Sequence, residues 1–329
     1  MNTTIMAIQW KLIGLAVNRY YERRMIFFIP ASLVLGFLFY RWFDSWAVAV
    51  PYLFAYITFV MALDCNARQL VQTLKFPIPI LLTLILVHGV APYLAFQLGR
   101  LLFGEGSPYI IGLVLFTVIP LGVSSVIWVK MVGGKIPLTL SLIIIDSLLS
   151  PFVVPWLIHL YFGESINFDT MKVMLDLMKI IVIPTILGVA LNGLTQGKAL
   201  QWTGFVASPI SKLAFSMVVL INAAVIAPLI HTFKSDLLLL ITASVSIILV
   251  GYALGWFGAR YLGDPAVART MTYAAGIKNI SLGIVIGIAY FEPKAVIPIV
   301  LTILIQQPMA TLMFQIFNKW SKDQTFIND

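Results

Sequence analysis

Two charged residues lie where a membrane makes charge costly. Thr272–Gly283 reads T-Y-A-A-G-I-K-N-I-S-L-G, which puts Gly276, Lys278, Asn279 and Ser281 between two apolar runs. Irregular backbone and a charge at membrane depth persist only where protein or a water-filled cavity supplies partners. The stretch therefore predicts a helix broken at Gly276, with Lys278 and Asn279 turned toward a site. The plainer alternative, a lysine snorkelling from a span end, is disfavoured by about ten apolar residues on either side. Asp146, in L-S-L-I-I-I-D-S-L-L-S-P, is the acidic residue placed deep in an apolar run, and its spacing from Thr139 and Ile143 puts all three on one helix face. Lys278 is its candidate counter-charge. The pair predicts either a static bridge or a proton switch in which each group can change charge state during a cycle. His88, in L-V-H-G-V-A-P, is either a helix-to-helix hydrogen bond or part of a cavity lining. The notch Gln306-Gln307-Pro308 admits the same two readings. Asp176 and Lys179 read as an interfacial pair, and His159 and His231 fall at span ends.

The elements that must position these groups follow from composition. The chain has 329 residues, 60% hydrophobic and 10% charged, which excludes a soluble or disordered domain and predicts an all-helical polytopic membrane protein. At about 20 residues per span, ten spans fit: 25–40, 46–63, 78–98, 108–129 (broken), 138–161, 174–194, 211–230, 236–260, 266–291 (broken) and 295–317. The formal charge of +8 reflects topology and not a nucleic-acid partner. With both termini cytoplasmic, fourteen of the 21 lysines and arginines fall inside. Five fall outside (Arg41, Arg100, Lys172, Lys234 and Lys294), and Lys179 and Lys278 lie within spans. Cys65 is the single cysteine, so no disulfide or cysteine metal cluster forms within the chain, and the thiol reads as inert. Residues 1–24 read as an amphipathic surface segment without a cleavage site, and 319–329 as a cytoplasmic tail.

An internal repeat organises the spans. Arg24-Met-Ile-Phe-Phe-Ile-Pro30 and Lys179-Ile-Ile-Val-Ile-Pro184 share a basic residue, an apolar run and Ile-Pro at an offset of 154, and the same offset relates Gly122 to Gly276. Five spans per half is odd, so the halves 25–163 and 164–318 enter the membrane from opposite sides, the inverted repeat of secondary transporters. The fourth span breaks around Pro120 and Gly122, in V-I-P-L-G-V-S-S. Matching broken helices point to a site near the midplane, because their open ends present unpaired backbone groups.

The groups that catalysis would need are missing from the sequence. It contains no H-E-x-x-H, no G-x-S-x-G, no G-x-x-x-x-G-K-S/T and no aspartate-rich pair, and one deep carboxylate cannot serve a paired-acid mechanism. No catalytic residue, cofactor or metal site is expected.

The chain resembles the bile acid:sodium symporter family over nearly its full length. That family's fourth-span motif is close to P-G-G-x-x-S-N-V, and Pro120-Leu-Gly122-Val-Ser-Ser125-Val126 matches its proline, second glycine and serine. Its ninth-span motif is close to E-x-G-x-Q-N, of which Ala274-Ala-Gly276-Ile-Lys278-Asn279 keeps the glycine and asparagine. The resemblance implies ten spans and a core of spans 3 to 5 and 8 to 10 around crossed helices, with a panel of spans 1, 2, 6 and 7. It also implies two sodium sites. At those sites Ala274, Lys278, Val126 and Ile143 replace family ligands, and Ser125 and Thr139 keep a side-chain oxygen. A lysine beside sodium repels it, so the ammonium is expected to stand in for the ion. The resulting expectation is a secondary transporter of the plasma or inner membrane that moves a small organic anion, a carboxylate, by alternating access. Coupling is to protons or absent, and family-type sodium symport or, further off, a passive channel are the alternatives. Ser125, Thr139, Asp146, Lys278 and Asn279 form the expected site, with His88, Gln306 and Gln307 as candidate lining, and lipid as the only macroscopic surroundings.

Overall fold

Long apolar runs in a chain poor in charge leave backbone groups no partner except each other, and helices are the outcome. The computed structural model describes residues 2–63, 77–163, 169–228 and 234–325; Cys65, Arg68, Lys75 and His231 lie outside them. The described residues are almost all helical, without a strand beyond one isolated bridge. In chain order they form α1 (Asn2–Leu38), α2 (Tyr40–Ala62), α3 (Pro77–Phe103), α4 (Pro108–Val118), α5 (Ser125–Met131) and α6 (Ile136–Phe162). There follow α7 (Thr170–Leu194), α8 (Lys198–Ile226), α9 (Leu237–Leu262), α10 (Pro265–Gly276), α11 (Ile280–Tyr290) and α12 (Pro293–Thr325). Among the described residues seven helices are long and apolar enough to cross a membrane: α2, α3, α6, α7, α8, α9 and the Pro293–Phe317 part of α12. Phe27–Leu38, α4 and α11 are shorter apolar helices. The chain is a multi-pass membrane protein.

Several helices outrun the spans expected from hydropathy. The amphipathic segment and first span are one helix, α1; α8 begins at Lys198 and not at 211; α12 continues to Thr325 past the expected end at 317. Hydropathy marks where a helix is apolar, whereas its ends are set by stop signals such as Gly197, which takes a left-handed conformation just before α8.

The chain divides into two compact units. Unit 1 comprises Met1–Gln69 and Leu175–His231, and unit 2 comprises Leu70–Met174 and Thr232–Asp329. Unit 1 thus collects α1, α2, α8 and most of α7, and there α1 lies along α8. Unit 2 collects α3 to α6 and α9 to α12, with α9 packed on α10 and α4 on α3 and α12. Its buried centre includes Leu121, Leu138, Leu142, Ile143, Met271, Ala274 and Ala275.

Two helices carry a π-turn, Leu86–Val90 within α3 and Met178–Val182 within α7. Each is centred four residues before a proline, His88 before Pro92 and Ile180 before Pro184. A proline has no N–H for the carbonyl four residues back and its ring crowds that oxygen, so the helix widens by one residue. Unit 2 thereby presents His88 on a widened turn.

Candidate functional site

The site begins with two helix breaks. One break separates α4 from α5, and the other separates α10 from α11 at Ile277–Asn279, one residue beyond Gly276. The breaks cross as a minimal antiparallel ladder, in which Gly122 N donates to Ile277 O at 2.8 Å and Asn279 N to Pro120 O at 2.8 Å, with Leu121 opposite Lys278. Gly122 is required by this approach, since a Cβ there would stand 2.7 Å from Lys278 O. At Gly276 a Cβ would stand 2.5 Å from the Tyr252 ring.

In such a ladder the backbone groups of the central pair point outward, and buried ones must find other partners. On one side Leu121 N donates to Asp146 Oδ2 at 2.7 Å. On the other, Gln306 holds both backbone groups of Lys278: Lys278 N donates to Gln306 Oε1 at 2.9 Å, and Gln306 Nε2 donates to Lys278 O at 3.2 Å. Asp146 comes from α6 and Gln306 from α12, so the crossing is clamped by a carboxylate and by an amide.

Lys278 and Asp146 are the two buried residues of lysine, arginine, aspartate or glutamate type among the described residues, at 4% and 0% exposure. They form no ion pair within 4.0 Å, so the static bridge, one of the two alternatives read from the sequence, is not formed. The Lys278 ammonium donates instead to Ile119 O at 3.2 Å, the carbonyl at the C-terminal end of α4, where the helix dipole favours a cation. Asp146 Oδ1 meets His88 Nε2 at 2.5 Å. The two charges still attract through space. His88, which the sequence left between a bridging hydrogen bond and a cavity lining, makes the bridging bond; its Nδ1 is buried without a hydrogen-bond partner.

The remaining expected residues divide by whether their polar atoms are already used. Asn279 caps α11, its Oδ1 accepting from Leu282 N at 3.4 Å. Thr139 is fully buried and its Oγ1 donates to Lys135 O at 3.1 Å, on its own helix. Ser125, the first residue of α5, is fully buried with its Oγ unpartnered. Gln307 is exposed and accepts from Trp128 Nε1 at 3.2 Å, while the Trp128 ring stacks on Tyr273 at 6.1 Å. Of the two oxygens that the resemblance assigns to a cation, Ser125 Oγ alone is uncommitted. Among the described residues no group of three or more His, Cys, Asp or Glu could hold a metal ion. Sequence reasoning gave Gln306 no definite role and did not connect His88 to Asp146. The proline four residues beyond His88 is the signal that could have marked it.

At the end of α10 away from the crossing, the Lys135 ammonium and the Asp264 carboxylate stand 2.6 Å apart. Asp264 also caps α10, accepting from Ala266 N and Val267 N at 2.9 and 3.2 Å. The hydrogen bond from Lys135 and those backbone donors hold its carboxyl below the usual carboxylate range.

A helical membrane chain in which two broken helices cross over a buried charge has the framework of a transporter. The profile of the Sodium Bile acid symporter family matches residues 50–236, and the chain belongs to that family. It is 33% identical over 293 residues to the Bacillus subtilis protein described as "Uncharacterized protein YbaS", covering 88% of this chain and 95% of that one. Two Arabidopsis thaliana proteins are more distant. "Probable sodium/metabolite cotransporter BASS6, chloroplastic" is 24% identical over 90% of this chain and 74% of its own length. "Probable sodium/metabolite cotransporter BASS1, chloroplastic" is 22% identical over 72% of this chain and 59% of its own length. The family, together with the names of the two Arabidopsis relatives, indicates a transporter and not an enzyme.

Proposed function

We infer that the chain is a secondary transporter that carries a small organic anion, a carboxylate, across the plasma or inner membrane by alternating access. The transport is sodium-independent or proton-coupled, with Lys278 in the role of a sodium ion. The observation that carries this reading is the buried Lys278 ammonium on Ile119 O at 3.2 Å, where a fixed cation caps an open helix end at the crossing. A mobile cation would be repelled there, and an anionic solute attracted. Ten passes in two inverted halves accommodate the helices: α1 by its apolar end, the α4/α5 and α10/α11 pairs as two broken spans, and seven long spans. In this scheme unit 2 is the core that binds solute, unit 1 is the panel, and both termini are cytoplasmic.

Thermal-shift screening of the purified protein against mono- and dicarboxylates, with and without sodium, tests the reading, because a ligand stabilises the state that it binds. The expected hits stabilise the protein equally in both media and lose their effect in Lys278→Met. Counterflow in proteoliposomes then separates a carrier, which trans solute accelerates, from a channel. Sodium symport is the second reading, favoured by the free Ser125 Oγ and by the cotransporter names of the Arabidopsis relatives. Stabilisation that appears only with sodium would select it.

A further inference from the structure

We propose that His88 is the proton-binding residue of this transporter: it takes up one proton at Nδ1 together with the anion and releases it with the anion. The proposal rests on the anion-carrier reading above and adds which group carries the coupled proton.

The two ends of the imidazole differ in what they touch. Asp146 Oδ2 is already occupied by the Leu121 N–H, so Oδ1 needs a donor, and His88 Nε2 lies against it. This bond fixes the Nε2–H tautomer and leaves the lone pair on Nδ1, the atom that has no hydrogen-bond partner. Any exchangeable proton therefore binds Nδ1. It arrives from water or buffer on the side where the anion loads and leaves to water on the other side, with no other bond made or broken.

Charge balance couples that proton to the anion. The buried residues Asp146 and Lys278 sum to zero when His88 is neutral, so an anion entering alone would leave an uncompensated negative charge in a poorly hydrated site. One proton on His88 restores neutrality. The π-turn that carries His88 packs against α9 and α4, and the ring meets α6 through Asp146. On α9 the charged or titratable groups are Tyr252, which is buried, and Arg260 and Tyr261, which are exposed. On α4 the Tyr109 hydroxyl donates to Asp236 at 3.0 Å. On α6, besides Asp146, only His159 and Tyr161 near the far end are titratable, and on α3 itself Tyr93 and Arg100 are exposed. No second buried carboxylate on these helices competes for the proton.

The chain has three histidines, so His159→Gln/His231→Gln in the full chain leaves His88 as the single reporter for 15N NMR of the imidazole. The expected spectrum shows a neutral form protonated on Nε2 that gains its second proton on Nδ1 as pH falls. A neutral form protonated on Nδ1 would overturn the proposal. The second measurement uses thermal-shift affinities for a panel of carboxylates from formate to citrate across pH. Above the titration midpoint, apparent affinity should fall about tenfold per pH unit in the unaltered protein. It should stay flat in His88→Gln, whose amide still donates to Asp146 but cannot take a proton. A slope that His88→Gln leaves in place overturns the assignment of His88 while the carrier reading stands. Failure of the unaltered protein to bind any panel member overturns the carrier reading and the coupling with it. If His88→Gln does not fold, the spectrum of the unaltered ring decides.

Discussion

The two helix breaks solve the same problem with different chemistry. At the break between α4 and α5, the outward Leu121 N–H is held by the Asp146 carboxylate and the terminal Ile119 carbonyl by the Lys278 ammonium. At the break between α10 and α11, the outward groups of Lys278 are held by the neutral amide of Gln306, and α11 is capped by the neutral amide of Asn279. Charge thus binds the first break and neutral amides bind the second. Amides do not titrate, whereas carboxylate, imidazole and ammonium do, so the break between α4 and α5 is the one that a change in protonation can alter.

Removing the charged clamp should have the largest effect. Asp146→Ala leaves the Leu121 N–H and His88 without their partner and Lys278 without a buried counter-charge, and is expected to cost about 3–5 kcal/mol, read as the drop in thermal-unfolding midpoint in detergent. Asp146→Asn, which can still accept from Leu121, should recover part of that loss. Gly122→Ala acts on both breaks at once, because its Cβ would stand 2.7 Å from Lys278 O and push the ladder apart; about 1–3 kcal/mol is expected in the same assay. Gln306→Leu leaves the Lys278 N–H unpaired, while the Lys278 carbonyl keeps the Ile280 N–H at 3.0 Å; it disturbs no charge, for an expected cost of about 1–3 kcal/mol that does not vary with pH. Should Gln306→Leu prove as costly as Asp146→Ala, and as sensitive to pH, the contrast between the breaks fails.

The smallest effect belongs to Asp264, outside the spans. Loss of this cap in Asp264→Ala should cost about 1 kcal/mol. Its carboxyl is held below the ordinary carboxylate value, chiefly by the hydrogen bond from Lys135, so its contribution is complete above that ordinary value and disappears as pH falls through the lowered one. The stability difference between Asp264→Ala and the unaltered protein should therefore narrow only under acid conditions.

Much of the scaffold was legible because the signals are local. Pro120, Gly122 and Gly276 lie at or beside the two breaks since proline cannot continue the hydrogen-bond ladder and glycine permits close approach. Lys278 and Asp146 stood out because charge is rare in apolar runs. Their partners were not legible, because partnership depends on tertiary placement: His88 and Asp146 are 58 residues apart, and the Ile119 carbonyl that receives Lys278 is 159 residues away. Asn279 shows a signal left unread, since an asparagine directly before an apolar helical run is an N-cap before it is a ligand. Thr139 shows the converse. It lies buried on the same helix as Ile143 and Asp146, but its hydroxyl turns back to Lys135 O, a local bond that competes with any ligand.

The widened turn at Leu86–Val90 has a consequence for how this chain is compared with its relatives. An extra residue accommodated inside a helix turns the segment from Ala91 to Phe103 by roughly 100° relative to an uninterrupted continuation. A relative without a proline where this chain has Pro92 is then expected to need one residue fewer in that turn to present the same side chains. A gapless pairing across residues 86–90 would match His88 with a position that points elsewhere.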